Sequence, residues 1–134
     1  MEIKPYAAYD EAEIARLYAD AGWTAYTRDL PALREGFARS LCVLAAYEDG
    51  ELLGLLRAVG DGATIVYIQD ILVFRAYRRR GVGTALLQSA LEQYGHVRQI
   101  VLITDDTPET TAFYCAAGFR ELAEAGCRGF MRCR

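Results

Sequence analysis

The sequence is poor in the residues that build metal sites and membrane spans. Among its 134 residues it has a single histidine, His96, and four cysteines with no C-x-x-C pair. This spacing predicts that no zinc is bound and that the cysteines are reduced thiols packed in the interior. Because no apolar run of about 18 residues is present and no signal segment opens the chain, we expect a cytoplasmic protein without a membrane partner.

The sequence also lacks an excess of basic residues. It has 15 Lys and Arg against 18 Asp and Glu, a formal net charge of -3 at pH 7. Since nucleic-acid-binding proteins usually carry positive charge across a whole face, this balance argues against a nucleic-acid partner. The length and an apolar share of 53% are typical of one globular domain, residues 1–134.

Two amphipathic helices are predicted in the first third of the chain. The first extends from Asp10 to Ala21, because it opens on a D-x-x-E capping box, presents apolar residues on one face and is followed by a glycine. The second extends from Asp29 to about Ser40 and has a proline in its first turn. Both should pack against a sheet formed by the later segments.

Apolar stretches in the middle of the chain predict strands. "LCVLAAYEDGELLGLLRAV" predicts a hairpin that turns at Asp49 and Gly50, since D-G between apolar runs favours a tight turn. "TIVYIQDILVF", from Thr64 to Phe74, is apolar on both faces, as a central strand should be. "QIVLIT" predicts a further strand that follows the third long helix.

Two more helices follow the central strand. Gly81 to Tyr94 has helical apolar spacing, and a short helix extends from Thr107, a capping residue, through Ala117. The tail from Phe119 is predicted to add two strands. The element order therefore predicts an α+β, or mixed α/β, domain built around one sheet.

The segment "FRAYRRRGVGTALL" joins the central strand to the third long helix. A helix that begins at Gly81 exposes unpaired N–H groups and the positive end of its dipole. Gly81 and Gly83 let an anion approach the backbone, and Arg78, Arg79 and Arg80 add positive charge. The segment therefore predicts a binding site for a phosphate or pyrophosphate.

Two common phosphate motifs do not fit this segment. A Walker A loop requires G-x-x-x-x-G-K-[ST], and the sequence has none. A dinucleotide fingerprint requires a third glycine, but Leu86 stands at that position. What remains is R-x-x-G-x-G directly after a strand that ends I-L-V.

That motif resembles the acyl-CoA loop of the GNAT superfamily of N-acetyltransferases. The resemblance is strengthened by the V-x-x-x-Y-R lead-in from Val73 to Arg78 and by "FYCAAGF" about thirty residues later. "VGDGATIVYIQDILVFRAYRRRGVGTALL" and "CRGFM" further resemble the plant-type serotonin N-acetyltransferase branch and its bacterial relatives. This chain departs from the family pattern at Arg75, Thr107 and Thr110, where proline, asparagine and alanine are usual.

The resemblance implies a GNAT fold and an acetyl-CoA-dependent enzyme. The fold would be a mostly antiparallel mixed sheet with splayed fourth and fifth strands and about four flanking helices. The activity would be direct acetyl transfer from acetyl-CoA to a primary amine, small or aromatic, without a metal, by a protein that can form a homodimer. Three alternatives stay open: acetylation of a protein or peptide amine, an acyl-CoA sensor without catalysis, and a nucleotide-binding regulatory domain.

The resemblance also assigns residues to the donor. Backbone groups on the fourth strand would hold the pantetheine arm, the loop would bind the pyrophosphate, and the last helix would contact the rest of the arm. The strand residues for the pantetheine arm are Ile71, Leu72 and Val73. The loop residues for the pyrophosphate are Arg78, Arg79, Arg80, Gly81, Val82, Gly83 and Thr84, and the residues of the last helix are Thr107 and Phe113.

Two residues are candidates for catalysis. Tyr114 stands where the family places its general acid, although a tyrosine beside Phe113 is also typical of a core. Asp70 interrupts an apolar strand, so its carboxylate needs a partner or a purpose. It is expected either to attract the amine or accept its proton through water, or to be a structural aspartate bonded to backbone or to an arginine.

Four residues are candidates for the acceptor pocket. Trp23 and Tyr26 lie in the link between the first two helices, which overhangs the acceptor site in this fold, and could stack on an aryl amine or pin the link to the core. Tyr67 and Gln69 lie on the central strand. Together they predict a pocket for a small apolar or aromatic amine.

Overall fold

The computed structural model describes residues 1–133 and contains one five-stranded sheet. The strands lie side by side in chain order, the first four antiparallel and the fifth parallel to the fourth. They are β1 (Glu2–Pro5), β2 (Cys42–Glu48), β3 (Glu51–Gly60), β4 (Ile65–Val73) and β5 (Gln99–Leu102). The predicted fold class, a mixed sheet with flanking helices, is confirmed.

Within residues 1–133, five α-helices accompany the sheet: α1 (Glu11–Asp20), α2 (Thr24–Thr27), α3 (Leu30–Ala38), α4 (Val82–Gln93) and α5 (Pro108–Ala116). Four match predicted helices. The single turn of α2 is an addition to the predicted set, since four residues are too few to show helical periodicity. Among residues 1–133 no helix has the length and apolar character needed to cross a bilayer.

The chain divides into two compact units. The first, Met1–Ile103, contains the whole sheet and α1 to α4, and the second begins at Thr104 and contains α5. In the first unit, α1 and α3 pack on one face of the sheet and α4 packs on β2, β3 and β4. The core under α1 and α3 consists of Ile14, Leu17, Tyr18, Leu33, Phe37, Ala45, Leu52, Leu55 and Leu72.

Local signals set the helix starts and the hairpin turn. The Asp10 carboxylate accepts the Glu13 N–H at 3.1 Å, as the capping box predicts, while the Glu13 carboxylate accepts the Tyr6 hydroxyl at 2.7 Å. In the β2–β3 turn both central residues, Asp49 and Gly50, have positive φ angles of 52° and 79°. This turn matches the right-handed twist of the strands that it joins.

The two strands predicted for the tail are wrong. Residues 119–133 form no strand; instead, the Cys127 N–H donates to the Leu122 carbonyl at 2.7 Å in a local turn in which Gly126 has a φ of 76°. The segment "ELAEAG" contains no β-branched residue, and its Ala, Glu and Leu favour helical turns. A local turn therefore forms there, and Phe130 stays 88% exposed.

The prediction that every cysteine packs in the interior is also wrong. Cys42 is half-buried on β2, but Cys115, Cys127 and Cys133 are exposed free thiols. Cys115 is exposed because α5 buries none of its residues completely. Residues 1–133 hold no group of three or more His, Cys, Asp or Glu side chains placed to bind a metal ion.

Loss of the hydroxyl group should change the stability of the protein differently at two tyrosines on the α1 and α3 face of the sheet. The Tyr9 hydroxyl is buried without a hydrogen-bond partner among residues 1–133, whereas the Tyr18 hydroxyl donates to Asp70 at 2.7 Å. We expect Tyr9→Phe to leave the free energy of unfolding unchanged or raise it by up to about 1 kcal/mol, and Tyr18→Phe to lower it by about 1–3 kcal/mol. Urea denaturation measures both, and an equal loss in the two variants would contradict this account.

Candidate functional site

The fourth strand is open along one edge. Its parallel pairing with β5 begins at Ile65 and ends at Ile68, opposite Leu102, although β4 continues to Val73. From Asp70 to Val73 the strand pairs with β3 alone, and Gln69 pairs with neither neighbouring strand. A stretch of β4 backbone is therefore left without a β5 partner.

The direction of the backbone N–H and C=O groups decides which residues of β4 can form hydrogen bonds at this open edge. The Phe74 N–H donates to the Leu53 carbonyl at 3.0 Å, and groups on an antiparallel strand alternate in direction. The N–H and C=O groups of Ile71 and Val73 therefore face the open edge. Leu72 turns its backbone groups toward β3, and its side chain is only 3% exposed. Of the three residues predicted to hold pantetheine, Ile71 and Val73 are placed to do so through their backbone, and Leu72 is not.

A β-bulge lies where the edge opens. Arg57 of β3 pairs with Asp70, while the next residue, Ala58, pairs with Ile68, so Gln69 is the extra residue. Consecutive side chains normally point to opposite faces of a strand. Here both Gln69 and Asp70 reach one atom, the hydroxyl oxygen of Tyr26, at 2.8 Å and 3.2 Å.

The Asp70 carboxylate is completely buried in a polar network. Its Oδ2 accepts the Tyr18 hydroxyl at 2.7 Å and the Arg57 Nε–H at 2.8 Å, and its Oδ1 accepts the Tyr26 hydroxyl at 3.2 Å. The Asp70 side chain has no exposed surface, and that of Arg57 is 8% exposed. With no surface to touch a substrate, Asp70 does not attract an amine directly, and the structural alternative is the one that this geometry supports.

The two phenols in this network remain protonated at neutral pH. Burial raises the pKa of Tyr18 far above its ordinary value of 10.0, and the nearby Asp70 charge raises it further. Burial followed by the Asp70 charge also raises the pKa of Tyr26, while the hydrogen bond from Gln69 lowers it. Both hydroxyl groups therefore act as donors to the carboxylate.

Arg57 is a site residue absent from the predicted set. Its Nη1 donates to the Ser40 hydroxyl at 3.4 Å, and its guanidinium lies 5.4 Å from the centre of the Phe37 ring. A Cβ at Gly36 would approach Nη1 to 3.2 Å, so the glycine in α3 makes room for the arginine. The available sequence signal was a lone arginine in one apolar strand and a lone aspartate in the next.

The aromatic residues predicted for the acceptor pocket lie around this network. The Trp23 and Tyr26 rings stack with their centres 6.0 Å apart, and both are half-buried against the core of α1 and α3. Gln69 joins them through the Tyr26 hydroxyl. Tyr67 is half-buried at the level of Val101, before β4 and β5 separate.

The loop after β4 leads into an uncapped helix. Gly81 precedes α4 with a φ of 80°, and no side chain caps the helix start. Space around Gly81 is open, since a Cβ built there meets no atom within 4 Å. Arg79 also has a positive φ, 64°, which a non-glycine residue rarely adopts. The first N–H groups of α4 therefore have no side-chain cap, and open space lies beside Gly81, at the segment from Gly81 to Thr84 that was predicted to bind an anion.

The arginines of this loop contribute less free charge than predicted. Arg80 forms an ion pair with Glu48 at 2.6 Å, and Arg78 donates from Nε to the Val73 carbonyl at 3.3 Å. The second contact ties the loop to the open edge of β4. Val82 buries its side chain and offers an anion only its N–H group, whereas Thr84 is exposed.

The second unit holds the remaining candidates. Thr107 caps α5 by accepting the Thr110 N–H at 3.2 Å, so threonine performs the capping role at this position. The half-buried Tyr114 ring contacts Phe113 and Phe119 edge-on, with centres 5.0 Å and 5.8 Å apart. Burial raises the pKa of Tyr114 above 10.0, although a hydrogen bond with Thr104 lowers it. The phenol keeps its proton at neutral pH.

The fold and part of the sequence match acetyltransferases of known structure. A GNAT family acetyltransferase from Streptococcus pneumoniae is 30% identical, with 99% of this chain and 97% of that chain covered and a TM-score of 0.89. An aminoglycoside 6'-N-acetyltransferase complexed with coenzyme A is 20% identical, with 79% and 63% covered and a TM-score of 0.69, which supports the fold alone.

A curated relative and a family model add sequence evidence. A Gibberella zeae protein named as an acetyltransferase is 34% identical over 62 residues, which are 44% of this chain and 35% of that protein, so the match spans about a third of the relative's length. The model of the acetyltransferase (GNAT) family matches residues 6–119, most of the chain. With the open edge of β4 and the uncapped α4 in place, we conclude that the chain belongs to the GNAT family of acetyltransferases.

Proposed function

We propose that the protein is an N-acetyltransferase that uses acetyl-CoA and moves the acetyl group directly to a primary amine. The open edge of β4 and, after the intervening loop, the uncapped start of α4 carry this proposal. Family membership supports the acyltransferase class. The choice of amine rests on the polar and aromatic residues around Tyr26.

The residues of the first unit fit an acyl-CoA donor. The N–H groups at the start of α4, with open space at Gly81, suit a pyrophosphate, and Arg78 and Arg79 lie in the same loop without a carboxylate partner in residues 1–133. The backbone groups of Ile71 and Val73 suit the amide groups of a pantetheine arm. When bound, acetyl-CoA supplies a thioester whose carbonyl an edge N–H can polarise.

In the second unit, Tyr114 is proposed as the general acid. It holds a proton on a phenol whose pKa is raised by burial, so the group is protonated at neutral pH. A departing thiolate needs such a proton. Thr107 and Phe113 are proposed to contact the coenzyme arm, as the family resemblance implies.

We propose a small aromatic amine as the acceptor. Stacked Trp23 and Tyr26 offer apolar rings, and Gln69 and the Tyr26 hydroxyl add polar atoms next to the open edge, with Tyr67 further along β4. Aromatic rings with a few polar groups are typical of pockets for small ligands. An acceptor of this kind agrees with the resemblance to the plant-type serotonin N-acetyltransferase branch.

The proposed activity is tested by measuring free thiol released from acetyl-CoA. Purified protein is given aryl amines, polyamines, aminoglycosides or peptides, and we expect the fastest release with a small aryl amine. Faster release with peptides would replace the small-molecule acceptor by a protein amine. Binding of acetyl-CoA by calorimetry, without release for any acceptor, would instead support an acyl-CoA sensor.

The donor site is tested with matched glycine variants. Gly81→Ala and Gly50→Ala both place a Cβ at a φ near 80° in open space, so each should cost about 1–2 kcal/mol of stability. Only Gly81→Ala should also weaken acetyl-CoA binding in calorimetry, by about tenfold, because its Cβ would occupy the anion site. Equal affinities in the two variants would contradict a pyrophosphate site at α4.

Removal of the Tyr114 hydroxyl tests the general acid. We expect Tyr114→Phe to lower kcat by about 100-fold or more, since general acids typically contribute that much. The acetyl-CoA dissociation constant should change little, and Tyr9→Phe, which also removes one buried hydroxyl, should keep full activity. Unchanged turnover in Tyr114→Phe would exclude this role.

A further inference from the structure

In the network around Asp70, the donor and the acceptor of each hydrogen bond can be assigned, including those at the Tyr26 hydroxyl. We infer that this hydroxyl oxygen accepts an N–H of the acceptor amine and that the Arg57–Asp70 pair is a positioning pair that orients it. The inference rests on the proposed acetyl transfer and assigns the amine contact. It gives the buried aspartate an indirect role through Tyr26.

The direction follows from which groups can donate. A guanidinium only donates, so the Asp70 carboxylate accepts from Arg57 at 2.8 Å and pairs with its charge. A carboxylate only accepts, so the single Tyr26 hydrogen points to Asp70 Oδ1 at 3.2 Å. Gln69 must then offer its amide N–H to the Tyr26 oxygen, at 2.8 Å, which also fixes the orientation of that amide.

One lone pair of the Tyr26 oxygen remains without a partner. A phenol has one hydrogen and two acceptor positions, and within residues 1–133 only Gln69 occupies one of these positions. The free position can accept an N–H from an amine or ammonium group, and such a group needs only an acceptor lone pair at this oxygen. Because the Tyr26 hydrogen is held by Asp70, it does not point at the incoming cation.

The hydroxyl lies where the sheet opens. Gln69 is both the bulge residue and the first residue of β4 beyond its pairing with β5, and Ile71, two residues later, presents backbone groups on the open edge. Tyr26 is half-buried, whereas Tyr18, which donates to the same carboxylate, is 0% exposed. Of the two tyrosines on Asp70, Tyr26 is therefore the one that a substrate can reach.

Charge argues against Asp70 as the final proton acceptor. A proton on its carboxylate would leave the Arg57 guanidinium, 8% exposed, without a counter-charge, and an unpaired buried charge is strongly destabilising. The network therefore serves as a fixed dipole for amine binding. Its loss should affect substrate affinity more than turnover.

The main test compares the same Tyr→Phe substitution at the two tyrosines that donate to Asp70. We expect Tyr26→Phe to raise the KM of the best amine about tenfold, the equivalent of one hydrogen bond to a charged group. Its kcat should stay within about threefold, and its acetyl-CoA affinity and pH profile should match wild type. Tyr18→Phe should lower stability and raise the amine KM less than Tyr26→Phe does, because the Tyr26 hydrogen still points to Asp70. Tyr9→Phe, whose buried hydroxyl lies outside this network, should leave the amine KM unchanged. An unchanged KM in Tyr26→Phe, or a loss of kcat alone, would overturn the inference.

Reversal of the hydrogen-bond direction gives a second test. In Asp70→Asn the amide can donate to the Tyr26 oxygen, which fills the free acceptor position and turns the phenol hydrogen toward the substrate. Its amine KM should rise at least as much as in Tyr26→Phe, and the double variant should be no worse than Asp70→Asn alone. Additive effects in the folded double variant would show independent roles and overturn the positioning role of Asp70.

A wild-type protein that releases no thiol with any amine would overturn the proposed function without deciding the role of Tyr26. In that case the same amines are titrated calorimetrically into wild type and Tyr26→Phe. Weaker binding to the variant would support the amine contact, and equal or absent binding in both would overturn it.

Discussion

The proposed acceptor site depends on the buried ion pair between Arg57 and Asp70. A carboxylate inside an apolar sheet is costly unless it is paired and fully hydrogen-bonded, and here three donors surround it. The pair links β3 to β4 and binds α1 and α2 through Tyr18 and Tyr26. One charged contact therefore helps to hold the helices over the sheet and orders the polar surface proposed to meet the amine.

The proposed acyl-CoA site depends on backbone geometry more than on side-chain charge. The end of the β4–β5 pairing at Ile68 frees strand edges, and the positive φ of Gly81 opens the start of α4. Arg80, which looked like a phosphate ligand in the sequence, is balanced by Glu48. N–H groups held in place by the fold need no reorganisation to bind an anion, which makes them suitable for a pyrophosphate.

Features with local signals could be predicted, and features that join distant segments could not. The caps at Asp10 and Thr107, the D-G turn and the glycine before α4 depend on neighbours a few residues away. The partners of Asp70 come from positions 13, 44 and 52 residues away. The prediction of two tail strands was wrong because a strand needs a partner strand for its backbone hydrogen bonds. The turn in "ELAEAG" instead forms backbone hydrogen bonds within the segment itself.

By itself, the sequence determined the order along the chain of the long helices and of β2 to β5, and the place of the anion loop, because periodicity, caps and glycines act over one or two turns of chain. It also marked Asp70 as unusual within an apolar strand. Only the tertiary structure decided what Asp70 does, since the bulge at Gln69 and the register of β3 bring Arg57 and Tyr26 to it. Side-chain partners across a sheet follow from pairing and packing in three dimensions, which no short stretch of residues specifies.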